Sequence, residues 1–104
     1  MSAKAYYMEG LQSIAGGALD EAVAAFSKAL VEDSRFFLAQ LGMATALDRQ
    51  GKVDKAIVYA RTAIEISPNE ALAHTSLSRL LQQKGLIEEA EEEMAISLRL
   101  QGES

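Results

Sequence analysis

The chain has 104 residues, 49% apolar and 24% charged, with one proline and no cysteine. That is enough for one folded domain around a single core, and it excludes disulfide staples, a thiol nucleophile and cysteine-bearing metal sites. The formal net charge of -5 argues against a nucleic-acid surface, which needs clustered Lys and Arg to neutralise phosphates. Alanine, leucine and glutamate dominate while β-branched and aromatic residues are sparse, so the composition points to an all-α class.

The first predicted helix covers residues 3–15. The segment Met1 to Gly17 carries one lysine, an acidic Glu9 and no unbroken apolar stretch, which is not the layout of a secretory leader. No run along the chain approaches the ~20 apolar residues of a membrane span, so a soluble, cytoplasmic chain with no membrane contact is expected. Gly16-Gly17 reads as a turn. Further helical periods follow over residues 19–33, 36–50 and 53–66. The only proline then stands in Ser67-Pro68-Asn69-Glu70, which reads as a capping box with Ser67 at the N-cap, Pro68 at the first helical position and Glu70 reaching back. It opens a fifth helix over 69–84, and a sixth is predicted over 87–100.

These elements repeat. Gly17, Gly51 and Gly85 lie 34 residues apart, as do Ala22, Ala56 and Ala90, and Ala5, Ala39 and Ala73. Two further columns keep apolar character without identity: Leu19, Val53, Ile87 and Leu30, Ile64, Leu98. The units are 3–36, 37–70 and 71–104, together one domain over 1–104, and each is a helix, a short turn and an antiparallel partner helix. The recurrent glycine sits where the first helix must stop, because a left-handed backbone is open to glycine at little steric cost. The recurrent alanine lets paired helices approach closely, where a larger side chain would overpack by roughly 1–3 kcal/mol.

The pattern resembles the tetratricopeptide repeat, whose 34-residue unit runs through an aromatic, a Leu-Gly-like pair, a small alanine, an aromatic and a proline. Tyr6, Gly10, Ala22, Phe26 and Ala29 carry the likeness in the first unit; Ala44, Ala56, Ala63 and Pro68 in the second; Leu77, Ser78, Ala90 and Met94 in the third. Glu9 stands where leucine is expected, Gln40 and His74 replace the leading aromatic, and Ser34 and Gly102 replace the proline. The resemblance implies a right-handed α-solenoid of three antiparallel helix pairs, and a protein-binding adaptor or scaffold whose concave groove is lined by the first helix of each pair. Carrying that face over selects Lys4, Tyr7, Leu11 and Ile14, then Leu38, Leu41, Thr45 and Arg49, then Leu72, Thr75, Arg79 and Gln82. On the functional reading, apolar anchors hold an extended or helical protein segment while Arg49 and Arg79 pair an acidic group. On the other reading several of the leucines pack between hairpins. Tyr7 and Arg79 are the preferred contact residues. Chaperone-binding members grip a C-terminal carboxylate with Lys, Asn and Arg side chains, and the corresponding positions here, Tyr7, Leu11, Gly42, Leu72 and Ser76, supply none of these. Recognition is therefore expected to rest on apolar contact.

The remaining features are quieter. Glu91 and Glu93 replace Val23 and Ile57, and Ala25 and Tyr59, so the run Glu88 to Glu93 reads as a solvated cap on the last helix. Met94, Leu98 and Leu100 still carry an apolar stripe, which leaves a homodimer through the groove or the C-terminal end as the alternative function. His74, the sole histidine, falls where the family places a packing aromatic, and a structural role is expected. The basic cluster Arg49, Lys52, Lys55 and Arg61 reads as solvated surface. No Ser-His-Asp spacing, phosphate-cradling loop or HExxH motif is present, so no catalysis, cofactor or metal is expected.

Overall fold

Strong helix formers interrupted every half-unit by a glycine or a polar turn can only make a chain of short helices, and the computed structural model has this form. It describes residues 1–103, which form α1 (Ala3–Ala15), α2 (Leu19–Glu32), α3 (Phe37–Arg49), α4 (Val53–Ile66), α5 (Ala71–Gln83) and α6 (Ile87–Gly102), with no strand among the described residues. The three glycine stops are one device used three times. Gly17, Gly51 and Gly85 take φ of 77°, 81° and 80°. The residue after each donates its N–H back to Ser13, Leu47 and Leu81 O at 2.8, 2.9 and 2.9 Å. This double-bonded left-handed termination satisfies the last carbonyls of α1, α3 and α5 and reverses the chain.

The turn before α5 corrects the capping-box expectation. Ser67 closes α4 rather than opening α5. Pro68 and Asn69 form the corner of a β-turn in which Glu70 N–H donates to Ser67 O at 3.2 Å, and α5 begins only at Ala71, with no side-chain cap on Glu70. The physical reason is the turn geometry: proline's fixed φ suits the second position of a β-turn as well as it suits a first helical turn. The connection from α2 to α3 is the same turn without proline, Phe36 N–H donating to Asp33 O at 3.2 Å.

Packing follows the alanine columns. Ala22, Ala56 and Ala90 are fully buried, as are Ala39 and Ala73, which is the close approach their small side chains permit. Between the first two pairs the space is filled differently. The buried Phe26 ring of α2 lies against Gly10 of α1 and Gly42 of α3, so close that an added Cβ would stand 2.5 and 2.6 Å from it. One repeat length on, Ala60 replaces the phenylalanine and Ala44 and Ser76 replace the glycines, so volume has moved from one helix to its neighbours. The third pair adds buried hydrogen bonds. Ser78 Oγ donates to Ala90 O at 2.7 Å, and Ser97 Oγ donates to Ala71 O at 3.1 Å.

Successive pairs are tied by side chains at matching places. Gln40 Nε2 donates to Ser34 O, and His74 Nε2 meets Pro68 O, each clamping the turn six residues upstream. Gln50 Nε2 donates to Asp20 Oδ1 at 2.6 Å, and Lys84 Nζ pairs with Asp54 Oδ1 at 2.7 Å. In each case a C-cap side chain of a first helix holds an acid in the opening turn of the preceding second helix.

Candidate functional site

The helices form two layers, and their contacts reveal the curvature. α3 lies close to both α1 and α5, whereas among the described residues the backbones of α2, α4 and α6 stay apart, α4 and α6 being joined by the exposed Arg61–Glu89 pair at 3.3 Å. First helices thus crowd into an inner layer while second helices splay outward, which makes the inner face a groove.

The predicted groove residues divide into three groups. Leu11, Leu38 and Leu72 are 39%, 42% and 55% exposed, one from each inner helix, and Lys4, Arg49, Arg79 and Gln82 are exposed beside them. Neither Arg49 nor Arg79 has an ion-pair partner among the described residues. Tyr7, Ile14, Thr45 and Thr75 are half-buried and share their surface with the packing. The Tyr7 ring lies 5.9 Å from Phe26 and 5.3 Å from Phe36, centroid to centroid. Thr45 Oγ1 donates to Leu41 O at 3.1 Å. Thr75 meets Ser97 Oγ at 2.6 Å, and since the Ser97 hydrogen goes to Ala71, Thr75 is the donor.

Leu41 corrects the expectation for its position. At 6% exposure it packs with the fully buried Ala63 and Ala73 where α3, α4 and α5 meet, so it holds two pairs together and offers no surface to a partner. The reason lies in helix geometry: its column points along the seam between inner and outer layers, and each following pair closes over it. Thr75, the third member of that column, is polar and half-buried against Ser97 of α6.

Two polar residues on the groove were not selected from the sequence. Asp48 and Ser76 line a shallow depression with Thr45 and Arg79, and Asp48 Oδ1 accepts a bond from Gln83 Nε2 at 3.0 Å. Asp48 lies three residues after Thr45, on the same face of α3, and that was the available signal. The depression therefore joins one fixed carboxylate to one free guanidinium.

His74 is buried, with Nδ1 2.7 Å from Glu93 Oε2 and Nε2 2.7 Å from Pro68 O. Both ring nitrogens are held by oxygen atoms of neighbouring elements. Glu93 is thus drawn out of the solvated cap in which the sequence placed it. Among the described residues no three His, Asp or Glu side chains gather as a metal site, and no helix is long and apolar enough to cross a membrane.

Layered helix pairs with an exposed inner face define a helical-repeat protein. The tetratricopeptide repeat family matches residues 13–75, more than half of the chain, and the chain belongs to that family. Protein bimA of Emericella nidulans is 31% identical over 67 residues, covering 64% of this chain and 8% of that protein. The crystal structure of MamA superposes with a TM-score of 0.94 at 26% identity, over 98% of this chain and 60% of MamA. The first tetratricopeptide domain of Spaghetti (RPAP3), bound to an HSP90 peptide, gives a TM-score of 0.93 at 20% identity, over 98% of this chain and 81% of that one, a likeness of fold. The chain thus spans under two thirds of MamA and a small part of bimA.

Proposed function

We propose that this chain is a protein-interaction module in which residues 1–104 act as one domain of three repeats, 3–36, 37–70 and 71–104, and hold a segment of another protein in the inner groove. The observation that carries the reading is the row Leu11, Leu38 and Leu72, exposed on three successive inner helices beside unpaired Arg49 and Arg79. Apolar side chains spaced from helix to helix offer anchors for alternate residues of a partner, and a free guanidinium favours an acidic group between them.

The HSP90 peptide belongs to the Spaghetti domain. Here the positions of a carboxylate clamp are Tyr7, Leu11, Gly42, Leu72 and Ser76, so the ligand class differs: apolar anchors with an internal acidic residue rather than a gripped C-terminus. The sole histidine is tied into the packing through Glu93 and Pro68.

The test is affinity capture from native lysate with Leu38→Glu and Leu72→Glu as controls. Both residues are largely exposed, so far-UV circular dichroism should be unchanged while capture of groove partners falls at least about tenfold, the effect of a charge placed at an apolar anchor. Arg79→Glu should weaken the same partners by about three- to tenfold. Equal recovery by all three variants overturns the reading.

A further inference from the structure

The two unpaired arginines of the groove have different neighbours. Arg79 and Gln83 lie one turn apart on α5, where they share a face, and Asp48 stands opposite on α3. One repeat length earlier the same three places hold Thr45 and Arg49 on α3 and Ile14 on α1, so Arg49 has an isoleucine where Gln83 has a carboxylate. Arg79 and Asp48 line one depression, yet neither is in an ion pair among the described residues. Asp48 Oδ1 instead accepts a bond from Gln83 Nε2 at 3.0 Å.

That choice of partner has a consequence for the cation. A guanidinium offers a carboxylate two parallel bonds and a full charge, whereas the glutamine amide offers one nitrogen and no charge. With the amide taken away, the donor left to Asp48 on that face of α5 is Arg79, and its charge would be spent inside the fold. An acidic residue of a partner entering the depression meets the same rivalry, because it and Asp48 seek one cation and repel each other. The bond from Gln83 occupies Asp48 and leaves the cation to the visitor.

We propose that Gln83 is a positioning residue of the groove: by holding Asp48 it keeps the Arg79 guanidinium free for the acidic group of a partner. The identity of the visitor rests on the groove reading above. The exchange among Asp48, Gln83 and Arg79 does not, since it belongs to the free protein.

Arginine modification by phenylglyoxal reads that exchange without a partner. The intact protein is labelled, and the rates at Arg79 and Arg49 are followed separately by mass spectrometry. Gln83→Leu should slow Arg79 by about threefold, the effect of gaining an exposed ion pair, and leave Arg49 unchanged; Gln83→Ala should do the same. Adding Asp48→Asn should restore the Arg79 rate, and Gln83→Lys, which keeps a donor for Asp48, should not lower it. Neither rescue is expected of a residue that only fills space. Gln83 is exposed and Asp48 half-buried, and unchanged circular dichroism verifies that the variants fold. An Arg79 rate indifferent to loss of the Gln83 amide, or a slowing that Asp48→Asn does not reverse, overturns the proposal. So does a set of captured partners that Arg79→Glu weakens and Gln83→Leu leaves intact. Capture indifferent to both Leu38→Glu and Arg79→Glu would instead sink the groove reading and leave the labelling result standing.

Discussion

Phe26 is the residue on which the first junction turns. An aromatic ring buried between two helices normally meets side chains on both, but here it meets the bare backbone of Gly10 and Gly42. Adding one methyl group to either glycine therefore strikes the ring rather than a flexible chain end. Gly42→Ala should lower unfolding stability by about 1–3 kcal/mol, read from urea midpoints at constant m-value. Combining it with Phe26→Leu should cost less than the two separate losses added, because the smaller side chain vacates the space the methyl needs. Strict additivity would show that the ring and the backbone do not share that space. Gln40 and His74 make a different point at the same scale. Where the family expects a packing aromatic, both use a terminal nitrogen to hold the carbonyl of a turn residue, Ser34 or Pro68. Polar side chains can replace the ring because they tie down the chain reversal that the ring would only pack beside.

Among the elements, α5 is the one whose start the sequence misplaces, and the error has a measurable consequence. A capping box would make Glu70 part of the helix N-terminus, so its loss would cost about 1 kcal/mol. With Glu70 exposed and making no side-chain cap bond, Glu70→Ala should change stability by less than about 0.5 kcal/mol. His74→Ala, which frees the Pro68 carbonyl and the Glu93 carboxylate from their buried partner, should cost about 1–3 kcal/mol. Thermal or chemical denaturation of the two variants separates the accounts, and the reverse order would restore the capping box. The helix ends at Gly17, Gly51 and Gly85 behave as their spacing implies, because a positive φ is a local requirement that one residue type meets.

For the whole molecule the order of the stack sets the order of stability. α3 packs against α1, α2, α4 and α5, whereas among the described residues α6 packs against α5 and reaches α4 through the exposed Arg61–Glu89 pair. A stack held by neighbour contacts frays from its ends, so amide hydrogens in α3 should exchange at least about tenfold more slowly than those in α6. Equal protection in both helices would mean that the chain opens only as a unit. The two ends also differ in chemistry: the face of α1 is polar at Glu9 and Ser13, while α6 keeps Ile87 and Leu98 exposed.

The sequence alone was sufficient for the helix count, the three left-handed stops and the buried column Ala22, Ala56 and Ala90, because each depends on a residue's own backbone freedom or on a period that recurs in register. It also selected Leu11, Leu38 and Leu72 and the arginines Arg49 and Arg79, all of which are exposed on the inner helices. Only the tertiary structure decided that Leu41 is sealed into the seam between pairs, that Glu93 turns inward to His74, and that Asp48 joins Arg79 on the groove. These depend on which neighbour closes over a given face of a helix, and a helical period by itself cannot distinguish a face that meets water from one that meets the next helix.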